Sequence, residues 1–384
     1  MQNLHLSWTT LGLATSLLFG VSACQPQSAA PPVSAKTDTV ENSIQEPIKK
    51  TSSKPAAVSA SASAIDAKTC LALQDTMQKV NNESNIEAIY AIQQTLKACL
   101  PTTDNDEALN FLKAYEAMYA RFLWSDDALN GEASDQPFFT VMSALEQNEE
   151  ISAADLKKLP ARVRYLIELV QNDADVSVYN LGEGYYDFTH DLTAMVDIFA
   201  PYLRQDQRAF VQRMATDNQE SFWSDAAVTV TFGELIDRAV FWEDYIKRHP
   251  NGYAVADAKS LLDFYRYIIF FGSDNTEWTD DMVREFIEPQ DRQMMVKLAR
   301  RPNSLLAKDA QNFLNFLALS DDERQEKYPI PRTPNNDSTY EVNEGAAARY
   351  QLDEAIQIPS IWDDYPNSRD CMNGVFCQDI VGSI

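Results

Sequence analysis

The stretches that decide the fold are His-Pro-Asn-Gly-Tyr at 249–253 and Arg-Pro-Asn-Ser-Leu at 301–305, which repeat one pattern. Each follows an apolar-periodic segment ending in basic residues, and each is followed by Asp-Ala, at 257–258 and 309–310. Proline stops a helix, and Asn with Gly or Ser turns the chain and caps the next helix. The pattern therefore predicts a helix hairpin used twice, in which the small Ala lets two helices pack closely. The alternative is local turn chemistry alone, because Pro-Asn-Ser at 366–368 has no helical pattern after it.

The rest of the chain from residue 66 onward has the same helical character. Apolar residues recur at three- and four-residue spacing, Thr231 has the position of an N-terminal cap, and Gly272 that of a C-terminal cap. Residues 227–231 alternate like a short strand, but without a convincing partner strand we interpret them as an extended connector. We predict an all-α fold of stacked helix hairpins, with about a dozen helices.

The predicted domain organisation has three parts. A signal peptide occupies 1–23, a linker 24–65, and an all-helical domain 66–384. Within that domain we expect subdomains at 66–175 and 176–320, followed by a C-terminal extension at 321–384.

The negative charge of the chain excludes two classes of partner. Its 384 residues include 57 acidic and 32 basic side chains, for a formal net charge of −25. Binding a nucleic acid backbone requires clustered Lys and Arg, so a nucleic acid partner is excluded. An electrostatic attachment to anionic lipid is excluded for the same reason. With 45% hydrophobic residues and five cysteines, the chain is neither disordered throughout nor a small disulfide scaffold.

The N-terminal segment has the pattern of a secretory signal, in which an apolar stretch leads to Val-Ser-Ala-Cys at 21–24. These four residues resemble the lipobox of bacterial lipoproteins. The resemblance implies that Cys24 carries lipid, becomes the new N-terminus and anchors the protein to a membrane. Since Gln25 rather than Asp follows, it also implies the outer membrane, with the periplasmic or surface side left open. The alternative is an ordinary signal peptide with a chance cysteine near its cleavage site.

The linker at 24–65 is predicted to be a disordered tether. It contains five prolines, neither aromatic residues nor glycine, and a low-complexity run of Ala and Ser at 56–64. Such a segment cannot bury enough apolar surface to offset the entropy of ordering it.

Four cysteines remain besides Cys24. In an exported chain they suggest two disulfides, and three connectivities are open. Local pairing is the simplest, joining Cys70 to Cys99 and Cys371 to Cys377. The alternative is four unpaired buried thiols. A C-x-x-C motif is absent, so neither a redox dithiol nor a thiolate zinc site is supported.

Two further resemblances concern the helical part. The Pro-Asn-Ser-x-x-Ala pattern resembles helical-repeat periplasmic proteins of the tetratricopeptide type over about 250–320, although its spacing exceeds their usual period. The stretches at 181–186, 241–245 and 271–276 resemble a domain of uncharacterised bacterial envelope proteins. The second resemblance implies a recurring helical module without an attached reaction.

Motifs for catalysis or cofactor binding are scarce in the sequence. It has neither phosphate-binding loops, nor a zincin motif, nor a mature serine-hydrolase elbow, so no catalytic residue and no cofactor is predicted. His190, expected on a helix beside Asp187 or Glu183, is a candidate base, but a surface or core histidine is the more common case. The acidic loops at 273–277 and 126–130 suit calcium in ligand type but lack the EF-hand spacing, so no metal site is predicted.

Aromatic residues crowd the central region, and most are interpreted as core. The functional interpretation is a groove with aromatic anchors and an acidic rim that binds a peptide, a glycan or a partner helix. Its candidate residues are Glu183, Tyr185, Tyr186, Trp242, Glu243 and Trp278.

These observations favour a non-enzymatic lipoprotein, anchored in the outer membrane, that binds an envelope protein or peptide. The alternative is a carboxylate-dependent hydrolase acting on cell-wall or glycan material through Glu183 and Glu243. A third hypothesis is a lipoprotein that binds calcium or a small ligand.

Overall fold

The computed structural model describes residues 67–124, 136–172, 174–182, 184–220, 222–224, 226–330 and 344–361. Several predictions fall outside these ranges and stay predictions: the signal segment, Cys24, the tether, the loop at 126–130, Glu183, Cys371 and Cys377. The side chain of Tyr185 also lies outside the description. The described residues all belong to one compact unit, Ser61–Ile384. The subdomain boundaries expected within it likewise stay predictions.

Helices dominate the described residues, which confirms the all-α prediction. In chain order they are α1 (Ala67–Leu71), α2 (Leu73–Gln78), α3 (Ile86–Cys99), α4 (Asn105–Leu123), α5 (Gln136–Glu146), α6 (Ala153–Leu156), α7 (Ala161–Gln171), α8 (Leu192–Phe199), α9 (Gln205–Asp217), α10 (Phe232–Arg248), α11 (Val255–Phe271), α12 (Pro289–Leu298), α13 (Leu305–Leu317), α14 (Asp321–Lys327) and α15 (Glu344–Ile356). Short 3₁₀ turns at Leu100–Thr102 and Ala200–Tyr202 each contain a proline.

The two helix hairpins form where the repeated turns predict them. The turn at 249–254 connects α10 to α11, and the turn at 299–304 connects α12 to α13. Ala258 and Ala310, the small residues of the repeat, are both fully buried. Since neither adds bulk beyond a methyl group, the helices can approach closely at these points.

The predicted N-terminal cap of α10 and the predicted C-terminal cap of α11 are present, whereas α11 begins after Ala254 without the expected cap from Asn251 or Gly252. The side chain of Thr231 accepts a hydrogen bond from the backbone N–H of Glu234 at the start of α10. Gly272 ends α11 with a φ of 68°, a left-handed conformation that favours glycine. A Cβ at Gly272 would also collide with the carbonyl oxygen of Thr276, so the turn depends on this glycine.

Two antiparallel strand pairs correct the sequence analysis. β1 (Val176–Gly182) pairs with β2 (Tyr185–His190), so His190 lies on a strand and not on the expected helix. β3 (Trp223–Ser224) pairs with β4 (Ala227–Val228). The first two residues of the 227–231 segment therefore form a strand with a partner, and not an extended connector. Alternating burial in β2, with Tyr186, Phe188 and His190 buried, suits a pleated strand with one face on the core.

The structure pairs Cys70 with Cys99 in a disulfide, with Cα atoms 5.7 Å apart. This bond joins α1 to the last residue of α3. In the chain-entropy model, closing a loop of this length stabilises the fold by roughly 3–4 kcal/mol.

Large side chains fill the core. Its largest fully buried members include Trp242, Tyr115, Tyr119, Tyr245, Tyr265 and Phe210. Among the described helices, none has both the length and the apolar character that crossing a bilayer requires.

Candidate functional site

The described members of the predicted groove do not come together. Tyr186 is buried against α5, with its ring centroid 6.3 Å from that of Phe138. Trp242 is fully buried where α9 meets α10, and Trp278 packs on Phe232 in the first turn of α10. The three rings contact different neighbours, and two of them are core residues.

Glu243 acts as an anchor between the two helix hairpins. It is buried in α10, where its Oε2 accepts a hydrogen bond of 2.7 Å from the Ser304 hydroxyl and its Oε1 accepts one from the Leu305 N–H. Lys247 Nζ lies 3.2 Å from Oε1. A carboxylate at a helix N-terminus also interacts favourably with the helix dipole. Since both oxygens already bind protein groups, Glu243 is not placed to attack or protonate a substrate.

Trp278 lines a pocket of about 420 Å³ between α11, α13, α15 and the loop that follows α11. We call it the Trp278 pocket. Aromatic rings and carboxylates form much of its lining: Phe270, Phe271, Trp278, Phe313, Glu277, Asp280 and Asp281. The sequence-predicted groove combined the same kinds of side chain, and of its described candidate residues Trp278 alone lies in this lining.

Local hydrogen bonds hold the loop that carries Trp278. The indole N–H of Trp278 donates to the carbonyl of Ile268 in α11 at 2.8 Å. Asp280 Oδ1 accepts the backbone N–H groups of Arg284 and Glu285 at 2.6 and 3.0 Å. These contacts fix the loop against α11, so that the pocket is formed before any ligand arrives.

A buried arginine supports the same loop from its other side. Arg324, in α14, donates to the carbonyl oxygens of Met282 and Val283, each at 2.7 Å. Its guanidinium lies 4.2 Å from the ring centroid of Phe316. Burial lowers the pKa of Arg324, while the nearby Asp321 opposes that shift.

The electrostatics of the Trp278 pocket favour a cation. Glu277 and Asp281 are exposed carboxylates at its edge, whereas the Asp280 carboxylate is already bound by backbone N–H groups. Arg349 of α15 lies with its guanidinium 5.6 Å from the ring centroid of Phe271. A cation of the chain thus already contacts an aromatic face of this pocket, an arrangement that is attractive because the face of the ring carries partial negative charge.

His190, the candidate base, lies in the core. Its ring stacks on Tyr119 with centroids 4.8 Å apart, and only 5% of the residue is exposed. Burial lowers the pKa of His190 to about 4, and the charge of Asp191 opposes the shift only in part. The imidazole is therefore neutral near pH 7 and far from the pKa that suits a general base.

Sequence reasoning missed a buried ion cluster between α9 and α10. Asp217 lies 2.8 Å from Arg213 Nε and 3.7 Å from Arg238 Nε, and Arg238 Nε lies 3.1 Å from Glu234. Burial raises the pKa of Asp217 to about 6 even though both arginines lower it. The sequence does contain opposite charges at i, i+4 spacing in each of these two helices, and this pattern could have indicated the ion pairs. We assign this cluster to the packing of α9 on α10.

No group of three His, Cys, Asp or Glu side chains that could hold a metal ion occurs in the part of the chain that the structure describes. Comparisons with models of protein families, with curated proteins and with solved structures found no match to the chain.

Proposed function

We propose that the protein is a lipid-anchored lipoprotein of the bacterial outer membrane whose folded part is a non-enzymatic binding module. Its partner is an envelope protein or peptide that places a Lys or Arg side chain in the Trp278 pocket. The observation that carries this proposal is the half-buried Trp278 ring beside the exposed carboxylates of Glu277 and Asp281 in one pocket, whose other aromatic residues, Phe270, Phe271 and Phe313, are buried.

The chemistry of the pocket selects for a cationic side chain. Cation–π contacts contribute about 0.5–2 kcal/mol, depending on how far the pair is removed from water. The apolar stem of Lys or Arg can lie along the rings while its charged end reaches the carboxylates. A formal net charge of −25 also attracts a basic partner and repels an acidic one over long range.

The lipobox at 21–24 and the tether at 24–65 support the cellular location. A tether that is free of aromatic residues and rich in Ser, Ala and Pro separates the binding module from the lipid. The tether allows the pocket to reach partners within the envelope while the lipid keeps the protein on its membrane.

A pair of matched peptides tests the proposal. One is a blocked Gly/Ser peptide with a central Arg, and the other carries citrulline, the uncharged isostere, in its place. We expect calorimetry to detect binding of the Arg peptide and at least about tenfold weaker binding of the citrulline peptide, since charge–π and charge–carboxylate attraction are lost.

Two double variants with equal net charge localise the effect. Glu277→Gln with Asp281→Asn removes both exposed carboxylates of the pocket, and we expect it to weaken Arg-peptide binding about tenfold. Glu149→Gln with Glu150→Gln removes two exposed charges after α5, outside the pocket lining, and should leave binding unchanged. Equal affinity for the two peptides, or an equal loss in the two double variants, would contradict the proposal.

A further inference from the structure

A second cavity, lined by an entirely different set of residues, has a volume of about 620 Å³. The β1–β2 hairpin, the start of α8, the end of α9 and the β3–β4 region contribute to it. We call it the His190 cleft. Its volume is within the range of about 300–1,000 Å³ that is typical of small-molecule sites.

The lining of the His190 cleft is rich in polar side chains and, among the residues that the structure describes, contains neither Lys nor Arg. Hydroxyl and amide side chains dominate, among them Ser177, Thr189, Thr193 and Gln219, and the carboxylates of Glu146 and Asp191 are also present. Phosphate or sulfate groups would meet no cation here and would be repelled by both carboxylates. The cleft therefore suits a ligand that is rich in hydrogen-bonding groups and is not anionic.

Hydrogen bonds between lining residues fix several of these groups in place. Gln219 Nε2 donates to Thr193 Oγ1 at 3.1 Å, and the Thr193 backbone N–H donates to Asp191 Oδ1 at 2.7 Å. Across the cleft, Asn180 Nδ2 lies 3.1 Å from each carboxylate oxygen of Glu146. A lining that is held in this way loses little conformational entropy when a ligand binds.

His190 forms part of the buried wall of the cleft. It lines the cleft and is more than nine-tenths buried, yet its Nε2 has no hydrogen-bond partner among the described residues. Buried polar atoms are nearly always paired, and leaving one unpaired costs about 1–3 kcal/mol. His190 is therefore a costly feature of the cleft wall, and its ring packs on Tyr119 in the core.

We infer that the His190 cleft binds a neutral saccharide of one or two rings. Sugars combine closely spaced hydroxyls, which suit amide, hydroxyl and carboxylate partners, with C–H faces that need an apolar wall. Val178, Leu192 and Ala215 supply apolar surface within the same lining. This site is independent of the cation pocket, so either proposal can fail without the other.

Calorimetric titration of the protein with three neutral disaccharides tests the inference: N,N′-diacetylchitobiose, cellobiose and maltose. Glucose 6-phosphate is the anionic probe. We expect at least one disaccharide to bind and glucose 6-phosphate not to bind. The double variant Ser177→Ala with Gln219→Ala removes two exposed polar groups from the rim, and we expect it to weaken binding about tenfold or more.

Matched controls separate this site from general effects. Gln212→Ala with Ser260→Ala removes the same residue types outside the cleft lining and should leave sugar binding unchanged. The Glu277→Gln, Asp281→Asn variant of the Trp278 pocket should also bind sugar normally. Three results would each overturn the inference: no heat with any disaccharide, unchanged affinity in Ser177→Ala with Gln219→Ala, or preferential binding of glucose 6-phosphate.

Discussion

His190 lies against the ring of Tyr119, and its burial determines which protonation state the fold tolerates. The ordinary pKa of histidine is about 6.5, and burial lowers that of His190 to about 4. Because the folded state has the lower pKa, neutral His190 supports the fold fully above about pH 6.5. That support is lost as the pH falls from about 6.5 to 4, because in this range the unfolded chain takes up a proton at His190 more readily than the folded chain.

Replacing His190 with Gln removes this titration and should flatten the dependence of stability on pH. Between pH 7 and pH 4, the free energy of unfolding of the original chain should fall by about 3 kcal/mol more than that of the His190→Gln variant. Urea unfolding of both chains at several pH values measures the difference, and other titrating groups contribute equally to the two curves. Parallel curves would show that the fold does not lower the pKa of His190.

At the scale of elements, one carboxylate connects the two helix hairpins. Glu243 in α10 binds the Ser304 hydroxyl and the Leu305 N–H at the start of α13. The turn residues of the second hairpin are therefore held by the C-terminal half of α10, the first helix of the first hairpin. The Asn-Ser pair at 303–304 therefore contributes to packing, since the Ser304 hydroxyl donates to Glu243. Ser304 also caps α13, because its hydroxyl oxygen accepts the N–H of Ala307.

Glu243→Ala should destabilise the fold by about 3 kcal/mol, because it removes two charge-assisted hydrogen bonds from a buried position. Glu326→Ala, at an exposed position of α14, should change stability by less than about 0.5 kcal/mol. Denaturant unfolding compares the two variants. A cost for Glu243→Ala as small as that of the control would contradict the anchoring role.

Turn chemistry made the helix hairpins predictable, because Pro and Asn act within a few residues of their own position. The β1–β2 hairpin was missed because strand pairing joins segments whose partners are not specified locally. His190 was expected on a helix, since its segment contains apolar residues at spacings that suit either structure. The structure also moves the start of α11 to Val255, after a left-handed residue at Ala254 (φ 50°), so the two repeats differ in their turns.

At the scale of the whole molecule, the groove with aromatic anchors and an acidic rim stays a prediction, and the Trp278 pocket combines these two kinds of side chain from other residues. Trp278 was a candidate as one of the aromatic residues that crowd the central region. Phe313 and Arg349, from α13 and α15, reach the same pocket only through packing of the helices. The predicted groove combined Trp278 with Trp242 because both lie in one aromatic-rich region, whereas the fold buries Trp242 completely.

The lipid anchor is the other whole-molecule prediction. Replacing Cys24 with Ala should abolish incorporation of labelled palmitate and release the protein from the outer-membrane fraction, because the acylated side chain is lost. Gln25→Asp serves as the control, since it keeps the acyl group and, by the lipoprotein resemblance, should shift the protein towards the inner membrane. Mass spectrometry of a mature chain that carries no acyl group would contradict the anchor.

The proposed role of the Trp278 pocket is to receive a basic side chain of a partner. The most direct measurement is an experimental structure of the protein bound to the Arg peptide. We predict that the peptide guanidinium lies over an aromatic ring of the pocket, within hydrogen-bond distance of Glu277 or Asp281. A peptide bound elsewhere, with the Trp278 pocket empty, would contradict the claim.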